Sequence, residues 1–391
     1  MSPFRSPLNA ALTGLASAVI SVLPLAAAAA DVCFYEHYNY QGLSHCTSAT
    51  NGDVSATVND RISSVRVPAG ARITLYQHPG FAGKTLQLDA NTPNLNNLGF
   101  NNLTSSYRVV SVSPPTASDT QIVFVGNSFT HGNIEPTLHY NASNVSDLNG
   151  TGYGGVPGIF KQLTVEAGLN YQVAIEAVSG QTLKYHDGNK RPVLGGKRWD
   201  VVVMHDYSTL DPAAPGNPTN LIAYSAKLEN FFHAEAGTNA NPQAKVWLMA
   251  TWPRPDLIYP NGSLWQGKTL EQIATLLGDG YKAAATQDTA IAGVIPVGDA
   301  FVRAVTQGVA DRNPYDGIDG DKLNLWAGDS YHASAAGSYL EALVVFGRIT
   351  GSDPRSLGGN SAAARAMNLT AAQATALQDV AYRQLAASPV H

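Results

Sequence analysis

The chain has 391 residues, enough for two or three domains, and carries a net charge of −5 with only 14% charged side chains. Soluble proteins usually hold about 25%; here 36 Gly, 22 Pro and many Asn, Ser and Thr make a polar, weakly charged surface instead, as is common in exported proteins. No stretch rich in Lys or Arg stands out, so a nucleic-acid partner is not expected.

In chain order, residues 1–30 read as a secretory signal. Arg5 is their only charge, an apolar stretch starts at Ala10, and Ala28-Ala29-Ala30 supplies the small residues of a cleavage site before Asp31. Pro24 and the alanine tail set the segment apart from an uncleaved anchor helix. No later segment is long and apolar enough for a stable membrane span, so a secreted or periplasmic location is expected. Cys33 and Cys46 are the only cysteines. In an exported chain they are expected to form a disulfide, two free buried thiols being the alternative. Two cysteines without spaced histidines do not fill the four positions of a zinc site.

Residues 31–110 carry an internal repeat. Tyr35-x4-Tyr40-x-Gly42 returns as Tyr76-x4-Phe81-x-Gly83, and Asn59-Asp60-x-x-Ser63-Ser64 returns as Asn101-Asn102-x-x-Ser105-Ser106. Alternating stretches between them, such as residues 64–67 and 72–76, read as short strands in an all-β domain. The paired motifs resemble the double Greek-key βγ-crystallin domain in its microbial calcium-binding form. That resemblance implies one Ca²⁺ per motif, with Asn59, Asp60 and Ser63 as ligands in the first and Asn101, Asn102 and Ser105 in the second. Oxygen donors of this kind suit a hard cation, and the second set, with an amide in place of Asp60, is expected to bind more weakly. The alternative is that these residues only form turns.

Residues 111–119 read as a linker, with Pro114-Pro115 at the centre. Beyond it, over 120–391, apolar strand-like runs alternate with helical stretches. Strands are expected near 122–125, 171–178, 200–204, 245–251 and 292–297. Helices are expected near 158–167, 220–236, 270–286, 335–350 and 371–386. Such alternation predicts an α/β three-layer domain with a largely parallel sheet.

Ser128 stands three residues past the first of these strands, after Gly126-Asn127, where an open parallel sheet gathers its reactive groups. Asp329 and His332 lie three residues apart near the other end, a spacing that lets a carboxylate orient an imidazole. The chain lacks the G-x-S-x-G elbow of α/β-hydrolases. Gly126-Asn127-Ser128-Phe129-Thr130 and Asp329-x-x-His332 instead resemble the first and last blocks of the SGNH (GDSL-like) hydrolase superfamily. The resemblance implies Ser128 as nucleophile, His332 as general base and Asp329 as its orienting partner. Ser330 and Ser361 also sit in Gly-Asp-Ser and Gly-Asn-Ser strings, but neither follows a strand.

The family's oxyanion hole implies N–H groups of Ser128 and Gly180 plus an asparagine side chain. The block after residues 201–204 reads His205-Asp206-Tyr207-Ser208 and has no asparagine, which leaves His205 or Tyr207 as the third donor, a purely structural role for His205 being the alternative. His131 and His186 are expected to serve loop packing or to lie exposed to solvent, not to take part in the chemistry. The implied function is a secreted serine esterase needing no cofactor for its chemistry, acting on an ester substrate such as an acetylated polysaccharide. A lipid or polyester esterase, an acyltransferase and a non-catalytic calcium-dependent binder with a degenerate hydrolase domain are the alternatives.

Overall fold

A computed structural model describes residues 31–54, 58–68, 71–88, 91–111 and 119–389. The expected signal segment, 1–30, and most of the expected linker lie outside the described residues.

The N-terminal region contains β1 (Val32–His37), β2 (Gln41–Thr47), β3 (Ser64–Arg66), β4 (Ala71–His78), β5 (Ala82–Leu88) and β6 (Ser106–Ser111). They form two three-stranded sheets, β2-β1-β3 and β5-β4-β6, with every pairing antiparallel. β1 and β4 alternate buried and half-buried residues, the period of a strand with one face on a core. Phe34, Ile62, Val65, Ile73, Leu75, Leu95, Phe100 and Tyr107 fill that core. Each half lends a residue to the other half's sheet: Asn51 bridges Tyr107, and Thr92 bridges Val65. This exchange makes the two repeats one folding unit.

The repeat is structural. Tyr40 packs edge-on against Tyr35 at 5.7 Å, and Phe81 against Tyr76 at 5.5 Å. Ser64 donates its hydroxyl to the His37 carbonyl and accepts the Tyr40 N–H; Ser106 does the same for His78 and Phe81. Gly42 and Gly83 hold φ of 81° and 79°, and a Cβ there would meet the histidine that ends the preceding strand of the same hairpin, His37 or His78, at 2.8 and 2.6 Å. Cys33 and Cys46 face each other across β1 and β2 and are joined by a disulfide, which staples the first hairpin alone.

The C-terminal region begins with β7 (Thr120–Gly126), α1 (Ser128–His131), β8 (Val145–Asp147), α2 (Gly155–Glu166) and β9 (Tyr171–Ala177). It continues with α3 (Leu183–Asn189), α4 (Arg191–Leu194), β10 (Val201–Met204), α5 (Thr219–Asn230) and β11 (Lys245–Met249). It ends with α6 (Leu270–Gln287), β12 (Ile291–Ile295), α7 (Val297–Thr306), α8 (Ala335–Thr350), α9 (Ala362–Ala366) and α10 (Ala371–Ala387). The six strands form one parallel sheet in the order β12-β11-β10-β7-β9-β8. All four residues of β10 are buried, as both faces of this sheet are covered.

Capping boxes start α6 at Thr269 and α10 at Thr370. Ser334 caps α8, whose residues from Ala336 to Gly347 are buried without a break. A helix buried on every side belongs in the interior, and α8, apolar but for Ser338 and Glu341 along that run, packs against α2, α7 and α10. The five strands and five helices expected from the sequence are present. The edge strand β8 and the helices α1, α3, α4, α7 and α9 go beyond the sequence expectation; all but α7 are too short to establish a periodicity.

Candidate functional site

β7 is where the strand order reverses: from it the chain passes outward to the edge strand β8, returns to β9 beside β7, and then crosses to β10 on the other side. Crevices at such points, at the carboxyl ends of strands, are where α/β sheets place their ligands. Gly126, the last residue of β7, has no room for a side chain. A Cβ there would lie 2.3 Å from His205 Nε2 and 2.3 Å from Thr130 Oγ1. The chain turns at Asn127 into α1, and Ser128 is its first residue.

Ser128 Oγ lies 2.9 Å from His332 Nε2, and His332 Nδ1 lies 2.6 Å from Asp329 Oδ2. The second carboxylate oxygen, Asp329 Oδ1, accepts the backbone N–H groups of Tyr331 and His332, both at 3.0 Å. Burial raises the Asp329 pKa, but the hydrogen bonds from the His332 ring and these two amides outweigh it and hold the carboxyl below its ordinary value. The side chains of Ser128, His332 and Asp329 thus form a continuous hydrogen-bonded line, and a charged carboxylate at its end favours the Nδ1–H tautomer that leaves Nε2 free to accept a proton.

The turn carrying Asp329 and His332 is clamped by the loop after β11. Trp252 Nε1 donates to the Tyr331 carbonyl at 3.2 Å, and the Asp256 N–H donates to the Ser330 carbonyl at 3.2 Å. Arg254 forks onto Asp256 at 3.1 and 2.6 Å and lies 3.5 Å from the centre of the Tyr331 ring. Beneath Ser128 an aromatic column runs from Phe129 to Trp252 at 3.9 Å and on to Phe301 at 4.9 Å, with rings nearly parallel. No spacing in the sequence pointed to Trp252, Arg254 or Asp256, because they reach the site through the tertiary fold alone.

The oxyanion expectations divide. An N–H at the first position of a helix has no intrahelical acceptor, and among the described residues that of Ser128 has no backbone acceptor elsewhere. Gly180, at φ +70° on an exposed turn after β9, has no acceptor for its N–H among the described residues. His205 is engaged elsewhere: its Nδ1–H donates to the Asp206 carbonyl at 2.8 Å and its Nε2 pairs with Thr130 Oγ1 at 2.7 Å. Burial pushes its pKa down to about 4, so it is neutral and has no donor to spare. Tyr207 places its side chain against Tyr331.

The other histidines and the two serine look-alikes have structural partners. His131 bonds Ser179 Oγ at 2.8 Å and stacks on Tyr153 at 4.4 Å. Burial, then the neighbouring His332, lower its pKa to about 4. His186 is fully buried with Nδ1 2.5 Å from Glu176 Oε2. Ser361 caps α9, and Ser330 is held in a left-handed turn at φ 55°.

The calcium-ligand expectations are regrouped. Ser63 Oγ approaches Asn102 Oδ1 at 3.2 Å, and Ser105 Oγ approaches Asp60 Oδ1 at 3.5 Å. The Asp60 N–H bonds the Thr104 carbonyl while the Asn102 N–H bonds that of Ile62. The side chains therefore meet across the two motifs and not within each, because the loops clasp one another. Among the described residues Asn59 bonds its neighbour alone, Nδ2 to Asp60 Oδ2 at 3.4 Å. Asn101 Oδ1 is buried without a hydrogen-bond partner, an acceptor left open for a donor or a cation. Among the described residues no cluster of three or more His, Cys, Asp or Glu side chains occurs.

Comparison with known proteins bears on the N-terminal region. Residues 26–108 match the family model described as peptidase inhibitor family I36. Development-specific protein S of Myxococcus xanthus is 50% identical over 54 residues, 14% of this chain and 30% of that protein. A βγ-crystallin from an archaeon is 28% identical, with 21% of this chain and 99% of that one covered and a TM-score of 0.20. The N-terminal domain of Protein S is 34% identical, covering 21% of this chain and 98% of that one, again with a TM-score of 0.20. The N-terminal region resembles a βγ-crystallin-like domain, in keeping with its duplicated folded hairpins. The chain spans under a third of the length of the curated relative it matches. Among the described residues no helix is long and apolar enough to cross a membrane.

Proposed function

We propose that the chain is an exported serine esterase of the SGNH type, carrying a calcium-binding βγ-crystallin-like domain. The observation that carries this reading is the line Ser128 Oγ to His332 Nε2 to Asp329 at a carboxyl-end switch point of a parallel sheet.

In the proposed reaction, Ser128 Oγ attacks the ester carbonyl as His332 Nε2 takes its proton, while Asp329 stabilises the imidazolium. The N–H groups of Ser128 and Gly180 hold the negative oxygen of the tetrahedral intermediate. The C–O bond to the alcohol breaks and the His332 proton goes to the leaving oxygen. Water then attacks the acyl-enzyme, giving its proton to His332, and the acid leaves as Ser128 regains a proton. Burial keeps His131 neutral beside His332, so it does not oppose the charge that forms there.

For calcium, the fit rests on chemistry. Asp60, Asn102, Ser63, Ser105 and the unpartnered Asn101 Oδ1 are all oxygen donors. With Asp60 as the one carboxylate in the set, binding is expected to be weak, and its role is to stabilise or dock the enzyme.

Initial rates with p-nitrophenyl acetate test the hydrolase reading. Wild type is expected to turn over and Ser128→Ala to be inactive; equal activity in the two removes Ser128 as nucleophile. A series of acyl lengths run beside acetylated xylan assigns the substrate, and a sugar acceptor in the assay reveals acyl transfer. A second reading, a binder with a degenerate hydrolase domain, is favoured by the missing asparagine and the engaged His205. Inactivity of wild type on every ester would support it. The match of residues 26–108 to a peptidase-inhibitor family raises inhibition by the N-terminal domain, which a panel of secreted proteases tests directly.

A further inference from the structure

We propose that Asn127 is the positioning residue of the oxyanion hole, holding the Gly180 turn in place from beneath the nucleophile. The inference rests on the hydrolase reading above. The three segments that follow β7, β9 and β10 meet at its buried side chain. Nδ2 donates to the Gln181 carbonyl at 2.9 Å and approaches the Asp206 carbonyl at 3.4 Å, while Oδ1 accepts the Phe129 N–H at 3.1 Å. One amide therefore caps the helix that starts with Ser128 and ties down the residue after Gly180.

Gly180 needs such a tie to the segment that carries the nucleophile. It is exposed at φ +70°, and nothing lies within 4 Å of the place a Cβ would occupy, so no packing of its own fixes its N–H. The turn closes on one backbone bond, from the Gln181 N–H to the Val178 carbonyl at 3.1 Å, and is tied to the rest of the site from its two sides: Ser179 bonds His131, and Gln181 bonds Asn127. An oxyanion hole works only when its donors are aimed before the reaction. In this chain the segment after β10 offers no asparagine to substrate, and the asparagine before the nucleophile joins that segment to the glycine turn.

Two functions of Asn127 can be separated. Asp is as good a helix cap as Asn, so Asn127→Asp keeps the oxygen that accepts the Phe129 N–H. It replaces the donor with an oxygen facing two carbonyl oxygens. Asn127→Ser keeps a capping oxygen, removes the amide that reaches the Gln181 carbonyl and adds no charge. Both are compared with wild type by steady-state kinetics on p-nitrophenyl acetate, thermal unfolding and amide hydrogen exchange of the 179–183 segment.

The expected result in both variants is a kcat lowered about 10²-fold with KM near the wild-type value. Faster exchange confined to 179–183 is expected alongside it. Wild-type kcat in the folded variants overturns the inference, as does unchanged exchange in that segment. If wild-type protein hydrolyses no ester, the hydrolase reading falls and takes the catalytic half with it. The exchange measurement then still decides whether Asn127 holds the turn.

Discussion

His332 Nε2 stands 2.9 Å from Ser128 Oγ although 204 residues separate the two in the chain. The closeness is produced by two unrelated devices: a crowded glycine that ends β7, and a turn before α8 clamped by the loop after β11. The site should therefore be sensitive both to its reacting groups and to the clamp.

Removing the carboxylate while keeping its shape tests the line of three side chains. Asp329→Asn is expected to lower kcat by about 10²-fold to 10⁴-fold, because the amide can favour the wrong tautomer of His332. Initial rates against pH measure it, with circular dichroism confirming the fold. A variant as active as wild type would show that His332 works without its partner.

The aromatic column gives a stability prediction. Trp252 is fully buried between Phe129 and Phe301. Trp252→Ala is expected to cost about 3–5 kcal/mol by opening a cavity that the stacked rings cannot refill. It also removes the hydrogen bond to the Tyr331 carbonyl, so kcat should fall in the protein that remains folded. Denaturant unfolding and activity at low temperature separate the two effects.

Asp206 gives a pH dependence. Burial raises its pKa from 3.8 to about 6. An acid with a raised folded pKa binds its proton more tightly when folded, so its contribution favours the folded state at low pH. That advantage is lost as pH rises from the unfolded value through the folded one. Asp206→Asn keeps an oxygen for the Leu183 and Tyr207 N–H groups, which Asp206 Oδ1 accepts at 3.2 and 2.7 Å. The melting temperature of this variant relative to wild type should therefore climb across that pH window and level off above it. A difference independent of pH would mean that Asp206 does not titrate there.

The clasped loops of the N-terminal region predict which ligands act together. Calcium titration of the full chain should show Ser63→Ala coupled to Asn102→Ala, and Ser105→Ala coupled to Asp60→Ala. Each pair is expected to lose one site, and the double variant should lose little more than either single one. Coupling of Ser63 with Asp60 instead would restore the grouping by motif. A flat titration at millimolar Ca²⁺ would remove calcium from the reading.

Much of the architecture was legible from local chemistry. Residues 201–204 are uniformly apolar because a parallel strand is covered on both faces, and Tyr40, Phe81, Gly42 and Gly83 mark two hairpins because their backbone positions tolerate few alternatives. β8 was not legible: three residues carry no period, and its place at the sheet edge comes from pairing with β9. That His205 is occupied was not legible for the same kind of reason. Its two partners, Thr130 and the Asp206 carbonyl, come together only when β7 and β10 lie side by side.

By itself, then, the sequence determined the repeat, the alternation of strands and helices, and the residue types able to form a serine–histidine–aspartate line. These depend on short-range periodicity, turn chemistry and side-chain identity, all written within a few residues of one another. Only the tertiary structure decided which loops clasp in the N-terminal region, that His205 is occupied, and that Asn127 joins three segments beneath Ser128. Such pairings depend on strand order and register, which bring together groups from opposite ends of a domain and which no local pattern encodes.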